Sequence, residues 1–142
     1  KVLNLINNKK ASVEKINTIN KRKGQPLLYD LTELQRDANK IYGFSPKQTL
    51  DLMQALYERH KILTYPRTDS RYLPNDLFPL IKDRIKLLAF GEYSNIVKEI
   101  LNKQIPNVKR IFDNSKVSDH YAIIPTDQKP NIMNLSNNER KI

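Results

Sequence analysis

Asp30-Leu31-Thr32-Glu33 opens, and Gly43-Phe44-Ser45-Pro46 divides, the stretch whose reading decides the fold. Asp30 or Thr32 can cap a helix by accepting from a free backbone N–H, and Glu33 or Gln35 then completes a capping box. Leu31, Leu34, Ala38 and Ile41 recur at helical spacing. Gly43 stands where a helix C-terminus favours a left-handed residue. Ser45 caps a second helix at once, Pro46 occupies its first turn, where no N–H is needed, and Gln48 closes its box. Leu50, Met53, Leu56 and Tyr57 form the apolar stripe of this second helix. Two helices joined by so short a turn predict a helix-turn-helix unit.

Working outward, Lys61-Ile62-Leu63-Thr64-Tyr65-Pro66 reads as a short strand that Pro66 ends or holds at an edge. Arg67 to Pro74 reads as polar and turn-like. Residues 76–89 predict a helix capped by Asn75, with Leu77, Leu80, Ile81, Ile85 and Leu88 apolar, and residues 93–103 predict another. Val108 to Asp119 is irregular and basic, and Ala122-Ile123-Ile124-Pro125 is a short apolar run expected in the interior. Ser136-Asn137-Asn138-Glu139 is a further capping box, opening a helix that the chain does not complete. Toward the N-terminus, Lys21-Arg22-Lys23-Gly24-Gln25-Pro26 is a charged turn or linker, either a solvated loop or a phosphate-facing stripe. Val13, Ile16 and Ile19 lie among polar residues in a segment read as extended. The expected class is mainly α with a few short strands around a helix-turn-helix-like core. The missing initiator Met and the unfinished last helix lead to the expectation that both ends are cut from a longer protein.

Composition narrows the function. The 142 residues suit one domain, or one domain with a piece of a neighbour. Lys and Arg number 25 against 15 Asp and Glu, a formal net charge of +10. Such a surface attracts polyanions, nucleic acid first and an anionic membrane second. With no cysteine there is no disulfide scaffold, thiolate zinc site or thiol nucleophile, and a cytosolic origin is favoured. No apolar run approaches the ~18 residues of a membrane span. The first apolar residues are broken by Asn4 and followed by Asn7, Asn8, Lys9 and Lys10, which is not a signal-peptide pattern. With 3 Gly, none clustered, no phosphate-cradling loop can be built. There is no Asp-x-Asp pair and no Gly-x-Ser-x-Gly elbow, and neither His60 nor His120 begins a zinc-type His-x-x-x-His.

Thr64 to Pro74 remains as the stretch able to do chemistry. A Tyr at the end of a short strand, held by Pro66, has a fixed hydroxyl, and Arg67, two residues on, shares its side of an extended chain. A guanidinium can grip a phosphodiester bidentately and favours a phenolate beside it. Tyr65 is therefore a candidate nucleophile toward phosphorus, with Arg67 as its electrostatic partner. The bland alternative is an edge-strand Tyr and a surface Arg.

The segment Thr64-Tyr65-Pro66-Arg67-Thr68-Asp69 resembles the active-site motif of type IA DNA topoisomerases, a Thr-Tyr-x-Arg-(Thr/Ser)-Asp segment whose Tyr attacks DNA. Pro66 and the Arg71-Tyr72-Leu73-Pro74 ending resemble the topoisomerase III branch more than the topoisomerase I branch. Leu28 to Asn39 followed by Gly43-Phe44-Ser45 is similar to the family's helix before that motif, and Asp51 to Tyr57 to the next one. Asp119-His120-Tyr121-Ala122-Ile123-Ile124-Pro125-Thr126 resembles the family's Ala-His-x-Ala-Ile-x-Pro-Thr block, with Asp119 departing from the usual Ala. These blocks occur in the family's order and cover most of residues 28–126.

The resemblance implies that Tyr65 forms a transient 5′-phosphotyrosine bond with one DNA strand and that Arg67 stabilises the transition state and positions the scissile phosphate. It implies that His120 contacts the DNA backbone near the site, that Asp69 orients its neighbours, and that Arg67, Asp69 and Arg71 join His120 as DNA-binding residues. It also implies a winged-helix or CAP-like core in a multidomain toroidal enzyme. Residues 1–27 are then a segment of the adjoining gate domain, 28–126 the catalytic-tyrosine domain, and 127–142 the start of the following core segment. In that family Mg²⁺ and a general-acid Glu come from a separate Toprim domain, so no metal ligand is expected in this chain. The expected substrate is single-stranded or underwound duplex DNA. The other partners are the Toprim and gate domains of the same chain, with no membrane, a monomeric state and a bacterial cytoplasmic, nucleoid-associated location.

Two rival classes stand beside this one. A non-catalytic helix-turn-helix DNA-binding module suits the paired helices and the +10 charge. A structural or partner-binding domain with incidental basicity is the other. A tyrosine recombinase wants His-x-x-Arg before its Tyr, and here His60 leads to Leu63 and His120 to Ile123.

Overall fold

The computed structural model describes residues 2–142. Among the described residues five α-helices follow one another: α1 (Val2–Ile6), α2 (Leu31–Tyr42), α3 (Pro46–Glu58), α4 (Ile81–Leu87) and α5 (Tyr93–Leu101). Short 3₁₀ turns lie at Asn75–Leu80, Asn114–Lys116, Ile132–Asn134 and Glu139–Lys141.

The α2–α3 pair forms with the expected caps, but the expected boxes do not close: the Glu33 carboxylate turns to Arg36 and the Gln35 amide to Pro46 O. Asp30 accepts from the Glu33 N–H at 2.7 Å, and Gly43 is left-handed at φ 71° with its N–H returned to Asn39 O. Ser45 accepts from the Gln48 N–H at 3.1 Å with Pro46 in the first turn. The two helices pack on each other. Ala38, Thr49, Met53 and Leu56 are buried between the pair and the rest of the chain, whereas Ile41, placed on the inner face by its spacing, is 64% exposed. Ile41 lies in the last turn of α2, beside Gly43, where the chain turns away. Inside α3, Thr49 sends its hydroxyl to Ser45 O, which is how a buried polar side chain is accommodated there.

The expected strands reduce to single bridges. Tyr29 pairs with Ile123 and Leu63 with Pro125, both antiparallel, and Leu73 pairs with Phe112 in parallel. Lys61, read as the start of a strand, instead takes the left-handed conformation at φ 58° and reverses the chain out of α3. The Ile62 N–H reaches back to Leu56 O, and Lys61 O accepts from the Thr126 hydroxyl at 2.6 Å. The helix expected over 76–89 is split, because Pro79 lacks the N–H that an α-turn needs. Residues 75–80 are therefore 3₁₀, and α4 begins at Ile81. Asn75 is not the cap: its own N–H donates to Asn114 Oδ1 at 2.7 Å.

A core of Leu73, Leu77, Phe112 and Ala122 gathers Leu28, Phe78, Ile81 and Ile124 around it. Phe78 meets Phe112 edge to face at 5.2 Å, a favoured aromatic geometry. The apolar run at 122–125 enters this interior, with Ala122 and Ile123 buried. The capping box at 136–139 forms in both directions, and its Glu139 is buried against Arg59 and His60 beyond the end of α3.

Candidate active site

Residues 64–71 carry a strand-like alternation. Thr64, Pro66, Thr68 and Ser70 are buried, while Arg67 and Asp69 are exposed and Tyr65 and Arg71 are half-buried. The segment read as turn-like thus continues extended chain. It is tied to its neighbour mainly by hydroxyls rather than by a ladder of backbone bonds. The Thr64 hydroxyl donates to Ala122 O at 3.1 Å and accepts from the Ile124 N–H at 2.9 Å, and the Thr64 N–H reaches Ile124 O. The Thr68 hydroxyl donates to His120 O at 3.2 Å and accepts from the Ser70 N–H. The Ser70 hydroxyl donates to Lys116 O at 3.0 Å and accepts from the Tyr72 N–H. These bonds satisfy buried backbone groups that would otherwise be orphaned.

This lacing draws residues 116–124 alongside the 64–72 run, and it sets the site. The His120 ring lies against the Tyr65 ring, with centroids 4.1 Å apart and planes tilted by 33°. From α3, Tyr57 meets the Tyr65 ring edge to face at 5.5 Å and 84°. The Arg67 guanidinium points back to Gln54 Oε1 on α3 at 3.4 Å, a long and easily surrendered bond.

Two hollows meet at His120. One, of about 270 Å³, is lined by Tyr57, Leu63, Thr64, Tyr65, His120, Tyr121 and Thr126. The other, wider and of about 620 Å³, is bordered by Arg67, Asp69, His120, Asp30 and Asp119. His120 thus borders both the hollow that holds Tyr65 and the one that holds Arg67 and Asp69. Arg71 is directed elsewhere: its Nε donates to Leu28 O at 3.0 Å. Residues two apart on an extended chain lie ~6.6 Å apart. The Tyr65 and Arg67 side chains thus both occupy the outward positions of the run. Among the described residues no group of three or more His, Cys, Asp or Glu side chains could hold a metal ion.

Thr64 and Thr68 fall within the motif and Ser70 and Gln54 outside it, and sequence reading gave none of the four a role. The signal for the first three was present, since small residues alternate with long ones through Thr64-Tyr65-Pro66-Arg67-Thr68-Asp69-Ser70-Arg71. Gln54 carries no such signal, because its partner becomes a neighbour only when α3 packs.

The sequence profile of the DNA topoisomerase family matches residues 1–142. A DNA topoisomerase 3 of Bacillus cereus (strain ATCC 10987 / NRS 248) is 51% identical over 132 residues, covering 93% of this chain and 18% of the relative. The DNA topoisomerase 3 of Bacillus subtilis (strain 168) is 45% identical over 142 residues, all of this chain and 20% of the relative. The chain spans about a fifth of the length of these curated relatives. It belongs to the DNA topoisomerase family, type IA, in the topoisomerase III branch.

Proposed function

We propose that these residues supply the nucleophile of a topoisomerase III-like enzyme that cuts and reseals one DNA strand. The observation that carries the reading is the outward row of Tyr65 and Arg67 with the His120 ring stacked on the Tyr. The Tyr65 phenol oxygen attacks phosphorus and gives up its proton to solvent, the P–O3′ bond breaks, and the 3′ oxygen takes up a proton and leaves as a hydroxyl. A 5′-phosphotyrosine ester holds the cut end. Reversal by the 3′-hydroxyl restores the strand and frees the phenol. The bond energy is conserved, so no ATP is consumed. Arg67 releases Gln54 and turns its two parallel donors to the equatorial oxygens of the phosphorus, where charge builds up. His120, bordering both hollows, contacts the adjacent backbone phosphate, and Asp69 orients neighbouring groups at the rim.

In this reading residues 28–126 are the catalytic-tyrosine domain with a winged-helix-like core. Residues 1–27 belong to an adjoining gate domain and 127–142 to the following segment of a toroidal, monomeric enzyme. In this reading its Mg²⁺ and Toprim domain lie elsewhere in the parent protein, and no residue of this chain is assigned as a metal ligand. The substrate is single-stranded or underwound duplex DNA, held by basic side chains. No described helix is long and apolar enough to cross a membrane. The bacterial cytoplasm, at the nucleoid, is the setting that suits such a substrate.

The test is adduct formation with Mg²⁺ and single-stranded DNA, read on a denaturing gel. The full-length enzyme forms a protein–DNA adduct, Tyr65→Phe abolishes it, and the isolated 142-residue chain forms none. Adduct in Tyr65→Phe would remove Tyr65 from the mechanism. Abundant adduct with the isolated chain would refute its dependence on a separate metal-binding domain. A non-catalytic binding module would show DNA binding that weakens steeply with salt and no adduct in any form.

A further inference from the structure

The nucleophile's backbone is laced in place by Thr64 and Thr68, but those bonds leave the direction of its ring to side-chain packing. Two rings supply that packing. His120 covers one face of Tyr65 at 4.1 Å, and Tyr57 abuts it at 5.5 Å with the planes 84° apart. The second contact comes from an anchored support. On α3, Thr49, Met53 and Leu56 are buried, and the helix start is secured by Ser45 and Pro46. Tyr57 follows directly on Leu56, one residue before the helix ends at Glu58, so its place is set by a buried neighbour. The Lys61 ammonium sits 5.9 Å from the Tyr57 ring centroid and adds a cation–π contact. Gln54, one turn earlier on the same helix, meets Arg67.

We propose that Tyr57 is a positioning residue for the reaction, its ring held by α3 at right angles to Tyr65 so that the phenol oxygen keeps one direction. The proposal rests on the reading of Tyr65 as nucleophile. Edge-to-face pairs prefer this separation and angle. A nucleophile displaced by 1 Å can lose about a hundredfold in rate. Tyr57 acts through ring shape, so a phenyl ring replaces it and an aliphatic chain does not.

The experiment measures the single-turnover rate of adduct formation at saturating single-stranded DNA in the full-length enzyme, with DNA affinity measured separately. Tyr57→Phe keeps at least half of the wild-type rate. Tyr57→Leu and Tyr57→Met lose about tenfold or more in rate, with affinity within twofold and melting temperature close to wild type. The inference is overturned by a wild-type rate in Leu and Met, by Phe failing as badly as Leu, or by a loss confined to affinity. Unfolding of both aliphatic variants would assign Tyr57 to the core and equally overturn it. Tyr65→Phe in the same assay separates the two claims. Adduct there removes the nucleophile reading itself. No adduct there, with Tyr57→Leu at full rate, removes only the role of Tyr57.

Discussion

Residues 64–72 and residues 11–26 both lack helix and strand ladder, yet one is a fixed scaffold and the other lies open. In the first, the inward positions carry Thr64, Pro66, Thr68 and Ser70, and the hydroxyls of Thr64, Thr68 and Ser70 find the carbonyls of Ala122, His120 and Lys116. In the second, Val13, Ile16 and Ile19 are 79%, 83% and 74% exposed. Apolar content does not separate the two, because the open segment has more β-branched apolar residues than the fixed one. What separates them is alternation with period two and a neighbouring chain whose backbone groups need partners.

The sharpest way to break the contrast is Thr64→Val, which keeps shape and removes one hydroxyl. Ala122 O and the Ile124 N–H both lose a buried partner, so the chain loses about 2 kcal/mol of stability in urea unfolding. An unchanged midpoint would mean that packing, not hydroxyl lacing, holds the run.

The C-terminal end sharpens the comparison, since residues 136–141, unlike 11–26, are pinned by a buried carboxylate. Burial pushes the Glu139 carboxyl up. Bonds from the Ser136 N–H and hydroxyl, then from Arg59 and His60, outweigh it and hold the group at about 2, below the ordinary 4.5. Because the folded value is depressed, the stabilisation is complete above pH 4.5 and is lost as pH falls from 4.5 toward 2. Glu139→Gln therefore melts lower than wild type at pH 7, by an amount equivalent to about 2 kcal/mol, and the gap closes through that acid window. A gap that stayed constant with pH would assign the effect to packing alone.

The smallest effect belongs to the open segment. Ile16→Ser shifts stability of the 142-residue chain by less than about 0.5 kcal/mol, because its side chain leaves little water on folding. A loss comparable to that of Thr64→Val would show that residues 11–26 are packed after all.

Helix boundaries were legible where capping chemistry is local. Asp30, Gly43, Ser45 and Pro46 each act within a few residues of chain, so α2 and α3 form as read. The box at Ser136 and Glu139 formed for the same reason. Reading failed where a distant partner decided the outcome. Lys61 is left-handed because its carbonyl is held by Thr126 and the following N–H by Leu56, and neither constraint has a local signature. Arg67 to Pro74 looked like a turn because it is polar, and it is extended because its hydroxyls bond a segment some fifty residues later.

By itself the sequence determined the two capped helices, the placement of Tyr65 and Arg67 on one side of the chain, and the basic surface. All three follow from bonds and periodicities spanning a few residues or from charge alone. Only the tertiary structure decided that His120 stacks on Tyr65, that Tyr57 and Gln54 reach the site from α3, and that Arg71 turns to Leu28. Those contacts join residues whose separation in the chain carries no cost that local patterning could reveal. They exist because burying Ala122 and Leu73 brings the two segments together, and the hydroxyls then fix their register.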